Sequence, residues 1–172
     1  IADDIDLVVY TAAIASDNPE LVATRHKGIP SLTRAQFLGQ LMHNYEYPVC
    51  ISGTHGKTTT TSMISHILLA ANVDPTITLG GVLDSILGNI RIGQSEYFVN
   101  EACEYCDSFL NFYPRIGVIL NIEEDHMDYF KDIYQIRDSF YKFAQRIPAK
   151  GILIINGTIL NLNQFVEGLD CN

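Results

Sequence analysis

Gly53-Thr54-His55-Gly56-Lys57-Thr58-Thr59-Thr60 sets a lysine and a hydroxyl directly behind a glycine. Those residue types, in that order, hold the phosphates of a nucleotide. The run follows an apolar stretch, Val49-Cys50-Ile51-Ser52. It precedes a helical pattern with Met63, Ile64, Ile67, Leu68 and Ala71 on one face. Strand, glycine-rich turn and helix together make an anion cradle. The glycines let backbone N–H groups approach the anion, and the helix N-terminus adds partial positive charge. In that frame Lys57 reaches the β- and γ-phosphates, and the Thr58 hydroxyl holds Mg²⁺. Gly53, Thr54, His55 and Gly56 wrap the anion, Thr59 adds a phosphate contact, and Thr60 and Thr61 fall to helix surface or packing. The longer phosphate-loop pattern asks for glycine where Ile51 stands, so the motif is the tighter Gly-x-x-Gly-Lys-Thr. A plain turn capped by threonines would leave Lys57 unexplained, because a cation at a helix start is unfavourable without a bound anion.

Two further clusters stand at the ends of apolar runs. Tyr97-Phe98-Val99 leads to Asn100-Glu101-Ala102-Cys103-Glu104. Ile116-Gly117-Val118-Ile119-Leu120 leads to Asn121-Ile122-Glu123-Glu124-Asp125-His126-Met127-Asp128. Ligands of open α/β sheets lie just past the carboxyl ends of strands. If these strands neighbour the one at 49–52, Glu101 and His126 face Lys57 and Thr58 across a phosphate-sized gap. Glu101 then suits Mg²⁺, directly or through water, since that ion takes oxygen ligands. His126 suits a second metal or the γ-phosphate. Taken singly, Glu101 reads as a solvated carboxylate, Asp125-His126 as a cap for the next helix, and the acidic run as a solvated face.

The elements that must position these residues alternate strand with helix. Leu7–Tyr10 reads as a buried strand. Asn18 caps a helix that has Pro19 in its first turn, runs to about His26 and stops at Gly28. Residues 29–32 connect to a second helix, started by Ser31 or Thr33 and carrying Phe37, Leu38 and Leu41. Residues 44–48 suit a hinge between domains. Thr76–Leu79 is a strand, Gly80-Gly81 follows, and residues 82–94 read as turns. Asp132 caps a helix whose apolar residues Ile133, Ile136, Phe140, Phe143, Ala144 and Ile147 repeat with a period near 3.6, and Pro148 stops it. Ile152–Ile155 is another buried strand. The pattern is α/β, a largely parallel sheet flanked by helices.

A net charge of −9 in 172 residues argues against nucleic acid as a partner. It does not exclude ATP, whose phosphates would meet a local cluster of donors. Hydrophobic residues make up 47% of the chain, enough for a core. No apolar run approaches the roughly 20 residues needed to span a bilayer, so no membrane insertion is expected. Cys103 and Cys106 form a single C-x-x-C, short of the usual four-ligand zinc set. With Cys50 and Cys171 they are expected as free thiols in a cytoplasmic protein.

The three motifs, in this order, resemble the Mur ligases of peptidoglycan synthesis. The resemblance extends to Thr11-Ala12-Ala13-Ile14, Asn18-Pro19-Glu20 and Gly80-Gly81, and runs over essentially the whole chain. It is strongest to members that carry His at position 55 of Gly-Thr-His-Gly-Lys-Thr and that add L-alanine. It implies a P-loop-type central ATPase domain preceded by the tail of a Rossmann-like domain. Residues 1–47 would close a UDP-substrate-binding domain and residues 48–172 would form much of the ATP-binding domain. The chain would then be an excerpt, without the family's C-terminal domain and inactive as a ligase by itself.

The implied chemistry is ATP-driven amide formation with Mg²⁺ between UDP-N-acetylmuramate and L-alanine, through an acyl phosphate. Lys57, Glu101 and His126 carry over as catalytic residues, Thr58, Glu101 and His126 as metal ligands, and residues 53–59 as the ATP-binding loop. Some relatives use a carbamylated lysine in the helix after Asp-His-Met-Asp. Here Ser139, Phe140 and Tyr141 stand near that place, and Lys142 is out of step. Two alternatives remain: a family member that attaches a whole peptide, and a nucleotide-binding module without ligase chemistry. Nothing in the sequence sets an oligomeric state.

Overall fold

A computed structural model describes residues 1–11 and 13–172. Ala12, part of the resemblance at 11–14, lies outside the described residues. Two parallel strands open the chain, β1 (Val8–Tyr10) and β2 (Ser31–Thr33), joined through α1 (Pro19–Lys27). Asn18 Oδ1 accepts the Glu20 N–H at 2.9 Å and starts α1, and Gly28 closes it. The segment expected as a connector therefore holds a strand. The exposure of Val9, 42%, corrects the expectation that the first strand is buried, since among the described residues β1 pairs only with β2.

Thr33 starts α2 (Arg34–Met42) through a reciprocal capping box with Gln36, at 3.2 and 2.8 Å. The buried face of α2 is Ala35, Leu38, Gly39 and Met42, with Leu41 exposed. Its partner is the 3₁₀ segment Tyr105–Asn111. A methyl group on Gly39 would lie 2.0 Å from the Asn111 carbonyl oxygen, so the two backbones touch there. Tyr47 and Pro48, expected in a hinge, already belong to β3 (Tyr47–Ser52).

Six strands make the main sheet. They are β3, β4 (Thr76–Leu83), β5 (Gly88–Arg91), β6 (Tyr97–Glu101), β7 (Ile116–Ile119) and β8 (Ile152–Ile155). Their order is β5-β4-β6-β3-β7-β8, parallel throughout except for the β4–β5 pair. The 82–94 region, expected as turns, thus contains the end of β4 and all of β5. An Arg91–Asp74 ion pair and an Arg91 bond to the Pro75 carbonyl at 2.7 Å hold β5 in place. At the opposite edge, Ile152 and Ile154 of β8 are about half exposed, because an edge strand buries one face only. This corrects the expected fully buried strand.

Each central strand feeds two cores by alternation. Val49, Ile51, Val99, Ile77 and Val118 pack on one side with Ile64, Leu68 and Leu69 of α3 (Lys57–Ala70). Cys50, Phe98 and Ile119 pack on the other with Phe140 and Phe143 of α4 (Ile133–Ala144), and with Phe109. Asp132 caps α4 by accepting the Gln135 N–H at 2.8 Å; the helix ends before Ile147. A short α5 (Leu162–Val166) follows β8.

The face of α3 also needs correction. Met63 and Ile67 are 60% and 65% exposed and Ala71 is exposed, whereas Thr61 and Ser65 are fully buried. Both hydroxyls donate to the carbonyl four residues back at 2.7 Å. That satisfies them internally and lets a small face approach the sheet closely. Among the described residues, no helix is long and apolar enough to cross a membrane, and all four cysteines are free.

Candidate nucleotide site

The strand neighbours inferred from sequence are neighbours in the fold. β3 lies between β6 and β7, with Ile51 opposite Glu101 and Ser52 opposite Ile119. Their carboxyl ends therefore deliver the phosphate loop, the Glu101 segment and the Asn121 segment to one edge of the sheet.

The loop geometry follows from its glycines. Gly53 has φ 141°, and a methyl group there would lie 2.9 Å from Leu120 Cβ. Gly56 has φ 82° and forms the N-cap of α3. L-residues with side chains rarely adopt either conformation. No side chain caps α3, so the N–H groups of its first turn, which include those of Lys57, Thr58 and Thr59, lack a side-chain acceptor among the described residues.

Thr54 and His55 behave differently from the expectation. The Thr54 N–H bonds the Asn121 carbonyl at 3.2 Å, and the His55 N–H bonds Asn121 Oδ1 at 2.8 Å. Their N–H groups therefore anchor the loop to β7 rather than pointing to an anion. The Thr54 hydroxyl accepts the Glu123 N–H at 2.9 Å, a second tie. The His55 ring is exposed, with Nε2 3.8 Å from the Glu123 carboxylate.

Thr58 and Glu101 meet directly. The Thr58 hydroxyl lies 3.0 Å from both Glu101 oxygens, and the Gly80 N–H donates to the same carboxylate at 2.8 Å. Glu101 is thus fixed at the end of β6 and is not a solvated loop residue. A hydroxyl and a carboxylate beside a helix start form an all-oxygen donor set that suits Mg²⁺.

Lys57 takes an arrangement the sequence did not suggest. Its Nζ donates to the carbonyls of Gly53 and Thr54 at 2.6 and 3.1 Å, and to Glu104 at 2.9 Å. The Glu104 side chain is 2% exposed, and His126 Nε2 lies 3.9 Å from its other oxygen. Glu104, Asp125 and His126 offer ligand atoms within 4.8 Å of one another. His126 therefore does come to the loop, but Glu104 stands between it and Lys57, filling the expected gap. His126 has φ 51°, a costly backbone for a side-chain-bearing residue. Its ring lies 4.7 Å from that of Tyr105, tilted by 38°, and it does not cap α4, whose cap is Asp132. Hydrogen bonding to Asp128 pushes the Tyr105 phenol up to about 12. Burial raises the Cys103 thiol.

Glu104 and Asn121 contact Lys57 and the loop, and sequence reasoning left both without roles. Their only signal was position, three residues past Glu101 and directly after the β7 apolar run. Next to Glu101, a cleft of about 360 Å³ opens between α2 and the β6 end, lined by Thr33, Arg34, Gln36, Cys103 and Asn111.

Comparison with known proteins agrees with this geometry. A family profile described as Mur ligase middle domain matches residues 51–171, and one described as Mur ligase family, catalytic domain, matches residues 1–46. A UDP-N-acetylmuramate–L-alanine ligase of Agathobacter rectalis is 60% identical over 98% of this chain. Another, from Lachnospira eligens, is 58% identical over 99%. The chain spans 37% of the length of each of these relatives.

Two solved structures overlay closely. The UDP-N-acetylmuramate:L-alanyl-γ-D-glutamyl-meso-diaminopimelate ligase of Neisseria meningitides matches with a TM-score of 0.86 at 29% identity, over 96% of this chain and 56% of that one. The UDP-N-acetylmuramate–alanine ligase of Thermotoga maritima gives 0.82 at 29% identity, over 94% and 37%. With the middle-domain profile matched across the strands and loops that build the site, the chain belongs to the Mur ligase family.

Proposed function

We propose that the protein carrying this chain joins L-alanine to the lactyl carboxylate of UDP-N-acetylmuramate, at the expense of ATP, in peptidoglycan precursor synthesis. The observation that carries the reading is its 58–60% identity to relatives bearing that activity in their names. In this reading the carboxylate takes the γ-phosphoryl group, releasing ADP and leaving an acyl phosphate. The amine of L-alanine then displaces phosphate.

Phosphoryl transfer depends on positioning and charge neutralisation more than on a protein nucleophile. Lys57 is the phosphate-binding cation. The loop 53–56 shapes the anion site, and Thr59 stands at its exposed rim. Bound Mg²⁺, held by Thr58 and Glu101 with His126 at the γ-phosphate end, would neutralise the phosphate charge. The cleft beside Glu101, which includes Arg34, suits an anionic, carboxylate-bearing substrate.

We assign residues 1–47 to the end of a Rossmann-like UDP-substrate domain and 48–172 to a P-loop-type ATPase domain. The two family profiles, which meet between residues 46 and 51, support that division. ATP and a UDP-linked substrate place the reaction in the cytoplasm.

A second reading, addition of a whole peptide, draws on the TM-score of 0.86 to the peptide-adding Neisseria enzyme. One assay separates the two. The intact protein is incubated with ATP, Mg²⁺ and UDP-N-acetylmuramate, plus either L-alanine or the tripeptide. L-Alanine-dependent phosphate release with matching alanyl product is expected. Turnover with tripeptide alone would transfer the assignment to the second reading, and no turnover with either would remove both.

A further inference from the structure

We propose that Glu104 is a positioning residue that competes with nucleotide phosphate for Lys57, and thereby sets a preference for metal-loaded over bare nucleotide. The proposal rests on the nucleotide reading above. An ammonium group has three N–H donors. Those of Lys57 are engaged by the Gly53 carbonyl, the Thr54 carbonyl and the Glu104 carboxylate, at 2.6, 3.1 and 2.9 Å. A phosphate that bonds Lys57 must displace one of these acceptors.

The two carbonyls are poor candidates for displacement. Both belong to the loop itself, and Gly53 and Thr54 are buried, with Thr54 tied to Asn121 and Glu123. Glu104 is the anionic acceptor and the one borne on a side chain, so phosphate replaces carboxylate on the same donor. Glu101 and Glu104 thus divide the loop between them. Glu101 takes the Thr58 hydroxyl, and Glu104, three residues on, takes the Lys57 ammonium.

Displacement has an electrostatic consequence. With its side chain 2% exposed, Glu104 has little access to water. Parted from Lys57, it would be a buried anion beside incoming phosphate charge, which is strongly unfavourable. A divalent cation arriving with the phosphates offsets that charge. A bare nucleotide brings no such compensation. Glu104 therefore penalises the bare form more.

The test is calorimetric titration of the intact protein with ADP, once with chelator and once with saturating Mg²⁺. Glu104→Gln keeps the shape and an acceptor for Lys57 but removes the competing charge. It is expected to bind metal-free ADP about tenfold more tightly than wild type, the scale of one charge-assisted hydrogen bond. Binding of the Mg²⁺ complex should change less, so the ratio of the two affinities narrows. Glu104→Asp, which restores the carboxylate, should return the ratio toward wild type.

A purely structural role predicts the reverse, with Glu104→Gln weakening both forms by the same factor; that result would overturn the proposal while leaving the nucleotide reading intact. Failure of wild type to bind ADP in either form would remove the nucleotide reading and this inference together. Should Glu104→Gln fail to fold, a structure of wild type with Mg²⁺ and ADP decides. Lys57 bonded to phosphate with its Glu104 contact broken supports the exchange, and both bonds present together refute it.

Discussion

Asn121 grips the backbone of His55 with both ends of its side-chain amide, accepting the His55 N–H at 2.8 Å and donating to the His55 carbonyl at 3.1 Å. The residue after β7 thereby fixes the tip of a loop that β3 delivers. Asn121→Ala removes both bonds, which lie at an exposed loop tip where water can replace them. The expected cost is about 0.5–1.5 kcal/mol, concentrated in the loop. Amide exchange at residues 54–56 should accelerate and nucleotide affinity should fall, while exchange in β3 and α4 stays near wild type. Unchanged exchange at His55 would show that the loop holds its shape without this clasp.

Lys57→Ala in the intact protein is expected to abolish ADP formation with the fold retained. Losing one preorganised charge-assisted contact to the transferred group costs about 3–4 kcal/mol of transition-state stabilisation, by analogy with loss of one oxyanion donor. The variant also deprives the buried Glu104 carboxylate of its lysine partner, so a lower melting temperature should accompany the loss. A folded variant with near-normal turnover would take Lys57 out of the mechanism.

Glu101 and His126 should separate by readout. Glu101→Ala removes the acceptor of both Thr58 and Gly80, and should raise the Mg²⁺ concentration needed for half-maximal activity. His126→Ala, at the Glu104 side of the site, should lower turnover more than it weakens UDP-substrate binding. Wild-type Mg²⁺ response and rate in both variants would detach these strand ends from the chemistry.

That β3, β6 and β7 could be neighbours was legible because each carries its polar cluster at the same end; that β3 lies between the other two was not. The face of α3 was not. Apolar periodicity points to Met63 and Ile67, but the sheet takes Thr61 and Ser65, whose hydroxyls are satisfied within the helix. Gly80, Gly81 and Gly88 read as turn formers, and β4 and β5 nonetheless run through them. The Arg91–Asp74 pair that supports β5 spans 17 residues, beyond the reach of any local pattern. Glu104 escaped for a related reason. A carboxylate in an acidic stretch reads as solvated, and only the fold buries it against Lys57.

The segment that follows Glu104 carries its own pH dependence. Tyr129 donates to Asp107 at 2.7 Å, and Ser139 donates to the other oxygen of the same carboxylate. Asp107 has φ 52°, in the left-handed region, so these bonds help hold a backbone that would otherwise relax. The hydrogen bond to Asp107, before burial and charge, pushes the Tyr129 phenol from its ordinary 10 up to about 12. A pKa raised by folding means the protonated form is the one the fold favours. The stabilisation is therefore complete below pH 10 and is lost as pH rises through about 12. Tyr129 is 38% exposed, so solvent screening keeps the effect small. In that window the melting temperature of wild type should fall more steeply than that of Tyr129→Phe, which has no proton to lose. Ultraviolet titration of phenolate, by difference between the two proteins, should place the Tyr129 transition above 10. A difference spectrum centred on the ordinary value would mean that Asp107 does not hold the hydroxyl in solution, and that Tyr129 leaves the loop bearing Glu104 unanchored.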